Sequence, residues 1–133
     1  MFLFDTDTLS QIIKREPSSS LLNRMAAVPR DEQFTTSITV GEMVYGAERS
    51  ARRDYLLRQF ESQLWPALRI LPFDRAAAEA YGSLRAELER AGTPLSEPDT
   101  RIAAIALTHN LTLVTGNVRH FSRVAGLSVE NWI

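Results

Sequence analysis

Short apolar runs alternate with longer stretches of helical periodicity along this chain, and that alternation is what most narrows its folding options. Met1 to Asp5, Gln33 to Ser37, Ile70 to Phe73 and Leu111 to Thr115 read as strands, with Leu127 to Val129 as a fifth. Between them lie segments whose apolar residues recur at helical spacing: Leu57, Phe60 and Leu64 within Asp54–Leu64, then Ala77, Tyr81, Leu84 and Leu88. Such a succession implies parallel strands joined by right-handed crossovers, with helices on both faces of the sheet. The expected fold class is α/β, a three-layer α/β/α arrangement with a central parallel sheet, in one domain over residues 1–133.

Local signals place the boundaries. Thr8-Leu-Ser-Gln11 and Thr39-Val-Gly-Glu42 both have the spacing of a capping box, which starts helices at Thr8 and Thr39. Pro17 and the serines after it end the first of these and open a second helix that carries Leu21, Leu22, Met25 and Ala26 on one face. Asp74 and Ser96 cap two later helices, Gly92 stops the first of them, and Pro98 sits in the first turn of the second. Pro72 marks the third strand as an edge or the end of its pairing.

The chain has no cysteine, which excludes a disulfide scaffold, thiolate metal sites and a Cys nucleophile, and a reducing, cytoplasmic setting is expected. No apolar run approaches the roughly 18 residues of a membrane span, and MFLFDTDTL has no basic leader. With 15 basic and 16 acidic side chains, an overall basic field is absent, so nucleic acid would need a local patch. Lys14 is the only lysine; every other basic side chain is Arg.

In α/β folds ligands bind beyond the carboxyl ends of the strands. Asp5 closes the first strand there, Glu42 and Asp99 lie in first helical turns, and Asn117 follows the fourth strand. Oxygen side chains converging from distant segments suit a hard divalent cation, which neutralises carboxylates that otherwise repel one another. Each residue also has a structural reading. Glu42 reaches back to Thr39 in a capping box, Asp99 complements a helix dipole, and Asp5 begins a turn. Those readings do not require three acids at one edge. Asp7 either backs the acids or leads into the helix cap.

FLFDTDTL, Thr36-Ser-Ile-Thr-Val-Gly-Glu-Met-Val-Tyr-Gly-Ala47, Asp99-Thr-Arg-Ile-Ala-Ala104 and Leu113-Val-Thr-Gly-Asn-Val-Arg-His-Phe121 resemble, in this order, the PIN-domain ribonucleases. More narrowly they resemble the VapC toxins of prokaryotic VapBC toxin–antitoxin modules, out to the closing Val129-Glu-Asn-Trp132. The resemblance implies a PIN-like fold and an endoribonuclease dependent on Mg²⁺, or Mn²⁺ in its place, that hydrolyses phosphodiester bonds of structured RNA of the tRNA or rRNA class. Asp5, Glu42, Asp99 and Asn117 match the family's catalytic positions. Asp5 and Asp99 are then the metal residues, Glu42 orients or deprotonates water, and Asn117 positions water or substrate. Asn117 stands where many members carry a fourth acid, and Glu97 is a second candidate for the place of Asp99. The partners implied are a VapB-like antitoxin covering the acidic rim, the RNA, and a second copy in a homodimer. A housekeeping PIN nuclease and a catalytically weak partner-binding scaffold are the other readings.

Thr115, Arg101, Arg119 and His120 are candidate RNA contacts, with Arg123 beside them; solvated surface arginine is the alternative. Tyr45, Tyr55, Phe60, Trp65 and Phe73 are assigned to core or subunit contact rather than base stacking. The DxD start also resembles haloacid-dehalogenase phosphatases, but Thr8 and Leu9 break their D-x-D-G-T pattern. His109 ends a helical pattern, so it forms no acid–base pair with His120, and no phosphate-cradling glycine loop occurs.

Overall fold

The computed structural model describes residues 1–133. Its strands are β1 (Phe2–Phe4), β2 (Gln33–Thr36), β3 (Arg69–Leu71), β4 (Thr112–Val114) and β5 (Val129–Glu130). The helices are α1 (Thr6–Ile12), α2 (Ser19–Ala26), α3 (Ser37–Glu48), α4 (Arg53–Gln59), α5 (Arg75–Arg90), α6 (Glu97–Thr108) and α7 (Val118–Phe121). All five strands are parallel, in the order β3-β2-β1-β4-β5.

Successive strand residues point to opposite faces, and the two faces carry separate cores. Leu3 and Leu113 pack with Phe34, Leu84, Leu88 and Ile102 under α5 and α6. Their chain neighbours Phe4 and Val114 pack on the other face with Leu9, Leu21, Met43, Phe60 and Trp132. Apolar contacts on both faces explain why β1 reads as a continuous apolar run. The expected three layers are therefore present, and no helix is long and apolar enough to cross a membrane.

Three helix starts differ from expectation. Asp5, not Thr8, is the N-cap of α1, its carboxylate accepting from the Thr8 N–H. Thr36, not Thr39, caps α3 in the same way. Each strand therefore passes into its helix with no loop, and the hydroxyls of Thr8 and Thr39 are buried instead of capping. Glu42 consequently sits one turn deeper than a capping-box residue, in the sixth position of α3. The Asp54–Leu64 helix begins at Arg53 and ends in a π-helical turn, Phe60–Leu64, that buries Phe60 and Leu64 together.

Asp74 and Ser96 cap α5 and α6 as expected. Gly92 takes φ +72 after α5, where a side chain would be strained, and the Thr93 N–H returns to the Leu88 carbonyl. β3 is an edge strand that stops before Pro72. Trp132, passed over as a core residue, is 2% exposed and lies against Phe2 and Phe4.

Candidate active site

β1 lies between β2 and β4, so the crossovers leave it in opposite directions and a crevice opens beyond its carboxyl end. Asp5 is the first residue past that end and is 3% exposed. Its Oδ1 accepts from the Thr8 N–H at 2.9 Å and its Oδ2 from the Thr115 hydroxyl at 2.5 Å. Burial outweighs these bonds and, with a small addition from the Asp7 charge, pushes the Asp5 carboxyl up to about 6.

Thr6, next in the chain, donates to Glu42 Oε1 at 2.6 Å and lies 3.3 Å from the Thr39 hydroxyl. The β1–α1 junction is thus tied to α3. Asp99, half-buried at the third position of α6, is raised above the usual carboxylate range by burial first; the Ser96 hydrogen bond opposes this, the Glu42 and Asp7 charges add to it and His120 opposes. That mutual influence places Asp99 within electrostatic reach of acids from α1 and α3. The Asn117 backbone N–H donates to Thr115 Oγ1, and its side-chain oxygen is hydrogen-bonded with His120 Nδ1.

The three expected acids therefore share one rim, but they are not drawn around a single point. No three acidic or imidazole side chains lie close enough to grip an ion by themselves. The donors are oxygens, and Asp5 and Asp99 carry raised pKa values that a positive charge would relieve. This set fits a cation that keeps much of its own water, as Mg²⁺ does.

The remaining candidates separate. Thr115, expected at the RNA, is wholly buried and spends its hydroxyl on Asp5 and the Asn117 N–H, so it positions rather than contacts. Arg101 is held by Glu97 at 2.6 Å and stacks near Phe73 and Tyr81. Glu97 also accepts from the Tyr81 hydroxyl, which commits it to a surface network on α5 and α6. Arg119 and His120 are exposed on α7 beside Asn117, and Arg123 donates to the Pro94 carbonyl. Phe60 is core, whereas Tyr45 and Tyr55 are 63% and 45% exposed. Sequence reading missed Thr6 and Thr8 as site residues; the FDTDT spacing held that signal, but only tertiary contact shows what their hydroxyls reach.

Residues 2–127 match the model of the PIN domain family. The chain is 35% identical over 131 residues to the tRNA(fMet)-specific endonuclease VapC of Salmonella typhimurium, spanning 98% of this chain and 97% of that one. It is 36% identical over 134 residues to Ribonuclease VapC2 of Haemophilus influenzae, spanning 99% and 98%. The crystal structure of DNA-bound VapBC from Salmonella typhimurium superposes with a TM-score of 0.92 at 36% identity, over 99% of this chain and 98% of that one. FitAcB from Neisseria gonorrhoeae gives 0.90 at 27% identity, over 98% and 97%. Carrying that fold, the acids of its carboxyl edge and relatives matched nearly end to end, the chain belongs to the PIN-domain family and, within it, to the VapC group.

Proposed function

We propose that this protein is the toxin of a VapBC-type toxin–antitoxin module and a Mg²⁺-dependent endoribonuclease that hydrolyses phosphodiester bonds of structured RNA, of the tRNA or rRNA class. The observation that carries the reading is the buried Asp5 at the crevice beyond β1, with Glu42 tied to the same junction through Thr6 and Asp99 half-buried at the start of α6. The names of the VapC relatives, a tRNA endonuclease and a ribonuclease among them, support it.

Asp5 and Asp99 would hold the ion, directly or through its waters. When bound, Mg²⁺ supplies the positive charge that neutralises the acids and stabilises charge developing on the phosphate. Glu42 takes the Thr6 hydroxyl on Oε1, which orients the carboxylate and leaves Oε2 to accept a proton from the attacking water. Asn117 is steadied by Thr115 and His120, and its amide NH₂ is left for water or substrate. An antitoxin of the VapB kind would cover this rim, as the solved VapBC neighbours are complexes of the two proteins; an inserted Arg would compete for the carboxylates. A homodimer is the expected assembly.

The test is cleavage of total tRNA and rRNA by the purified protein with Mg²⁺ or chelator. The expected result is metal-dependent scission that Asp5→Asn abolishes. Full Mg²⁺-dependent cleavage by Asp5→Asn would reject the assigned site, and RNA binding without scission would favour a scaffold.

A further inference from the structure

Beside the acids lies a groove that shares Asn117 with them and whose other polar groups have no part in the catalytic reading. This open groove of about 570 Å³ runs from Asp7 along α1 to Lys14, just past the helix end. Ser10 and Gln11 complete this wall, being three and four residues from Asp7 and so on the same helical face. Asn117 and Asn131, from beyond β4 and β5, also line it, and Ile133 is its one apolar lining residue.

Apart from Asn117, most of the groove's side-chain polar groups are free where those of the acid site are spent. Hydrogen bonds near the acids run through Thr6, Thr8, Thr115 and Asn117; Ser10, Gln11 and Lys14 take no part in them. All six salt bridges are made by arginines, which leaves the only lysine unpaired. Asn131 uses its oxygen on the Ile133 N–H and keeps its NH₂ group. At ~1.5 Å per residue, Asp7 and Gln11 are about 6 Å apart along the helix axis, and Lys14 lies beyond them, past the helix end. One end of the groove is thus acidic, the other carries a single positive charge, and neutral donors and acceptors lie between.

Single-stranded RNA needs that sequence of groups: a cation for a backbone phosphate, and amides or hydroxyls for the sugar and for base edges splayed out of the stack. We propose that the groove holds the RNA strand on one side of the scissile phosphate. Lys14 contacts a backbone phosphate, while Ser10, Gln11 and Asn131 hydrogen-bond the adjoining sugar and base. This rests on the nuclease reading above and adds to it the path of the substrate. Because Gln11 and Asn131 read base edges, they are the residues through which the flanking nucleotide is selected.

The test measures binding of a fluorescein-labelled RNA hairpin with a mixed-sequence loop, by anisotropy across a salt series, in the Asp5→Asn background to keep it intact. Lys14→Gln should weaken binding about threefold to tenfold at low salt and reduce the salt slope by about 1. Lys14→Arg should keep the slope. Gln11→Ala should weaken binding about fivefold with the slope unchanged. Arg90→Gln, at the far end of α5, is the control and should change neither. Cleavage by the wild type with affinity and slope unaltered in Lys14→Gln overturns the groove alone. Failure of the wild type both to bind and to cut the hairpin overturns the groove and the nuclease reading together. Unchanged RNA affinity in Lys14→Gln, alongside lost inhibition by a co-expressed antitoxin, gives the groove to a protein and likewise overturns the proposal.

Discussion

The hydroxyl of Thr115 donates to Oδ2 of Asp5 at 2.5 Å across 110 residues of chain, joining the ends of β4 and β1 where the acids gather. The same oxygen accepts from the Asn117 N–H, so one buried hydroxyl sets both an acid and the loop beside it. Thr115→Val keeps the shape and removes both bonds. It should cost about 1–3 kcal/mol, the usual penalty for stranding buried polar partners, while Thr115→Ser costs little. Urea unfolding of the two variants measures the difference.

The buried Asp5 carboxyl gives stability a pH dependence. Its proton is held more tightly in the folded state, with a pKa of about 6 against an ordinary 3.8. The folded state therefore binds more protons between those values, and stability falls as pH rises through that window. By this group alone the fold is most stable below about pH 4, and ionising Asp5 costs roughly 3 kcal/mol. Thermal melts in chelator should show the decline in the wild type and lose that component in Asp5→Asn. The variant should also melt higher at neutral pH, chiefly because a buried charge is gone.

Mg²⁺ should reverse the cost. An ion that binds only the folded state adds about 2.7 kcal/mol at a hundredfold excess over its Kd. The gain in Tm should be larger at pH 8 than at pH 5, where protons compete for the same carboxylates. A shift of equal size in Asp5→Asn would remove that residue from the cation site. Adding chelator should stop cleavage and return the Tm to its ion-free value.

On the proposed mechanism Thr6 acts through Glu42, to which it donates at 2.6 Å. Thr6→Val should lower kcat about tenfold with little change in KM, since the carboxylate loses its orientation but not its place. Thr6→Ser should restore most of the rate. Single-turnover cleavage of the two variants checks this, with a melt to show that the fold is kept.

Trp132 anchors the C-terminal end of the chain. Its ring is buried against Phe2 and Phe4, the Arg24 guanidinium lies 4.6 Å from its centroid, and its N–H donates to Glu130. Trp132→Ala should cost about 3–5 kcal/mol, as large aromatic truncations in cores do. Denaturant titration measures it. Arg24→Ala, which leaves the core intact and breaks an exposed ion pair, should cost under about 1 kcal/mol.

Element type was legible along the chain because helical and strand periodicities are properties of near neighbours. The apolar run of β1, the stripe of α5 and the caps Asp74 and Ser96 needed nothing distant to be read. Boundaries were less so at the strand–helix junctions. Two capping-box spacings pointed to Thr8 and Thr39, yet Asp5 and Thr36 cap those helices, because a strand that ends on a polar acceptor can enter a helix without a loop.

The acids could be singled out from their positions after strands and at helix starts. The surroundings of each were set by assembly of the sheet. Asp5 has its raised pKa because the crossovers bury it between β2 and β4. Thr115 turned from an RNA contact into the partner of Asp5, and Arg101 from a phosphate contact into the partner of Glu97. Burial and long-range hydrogen bonds depend on which strand ends lie side by side, and neighbours along a chain do not carry that information.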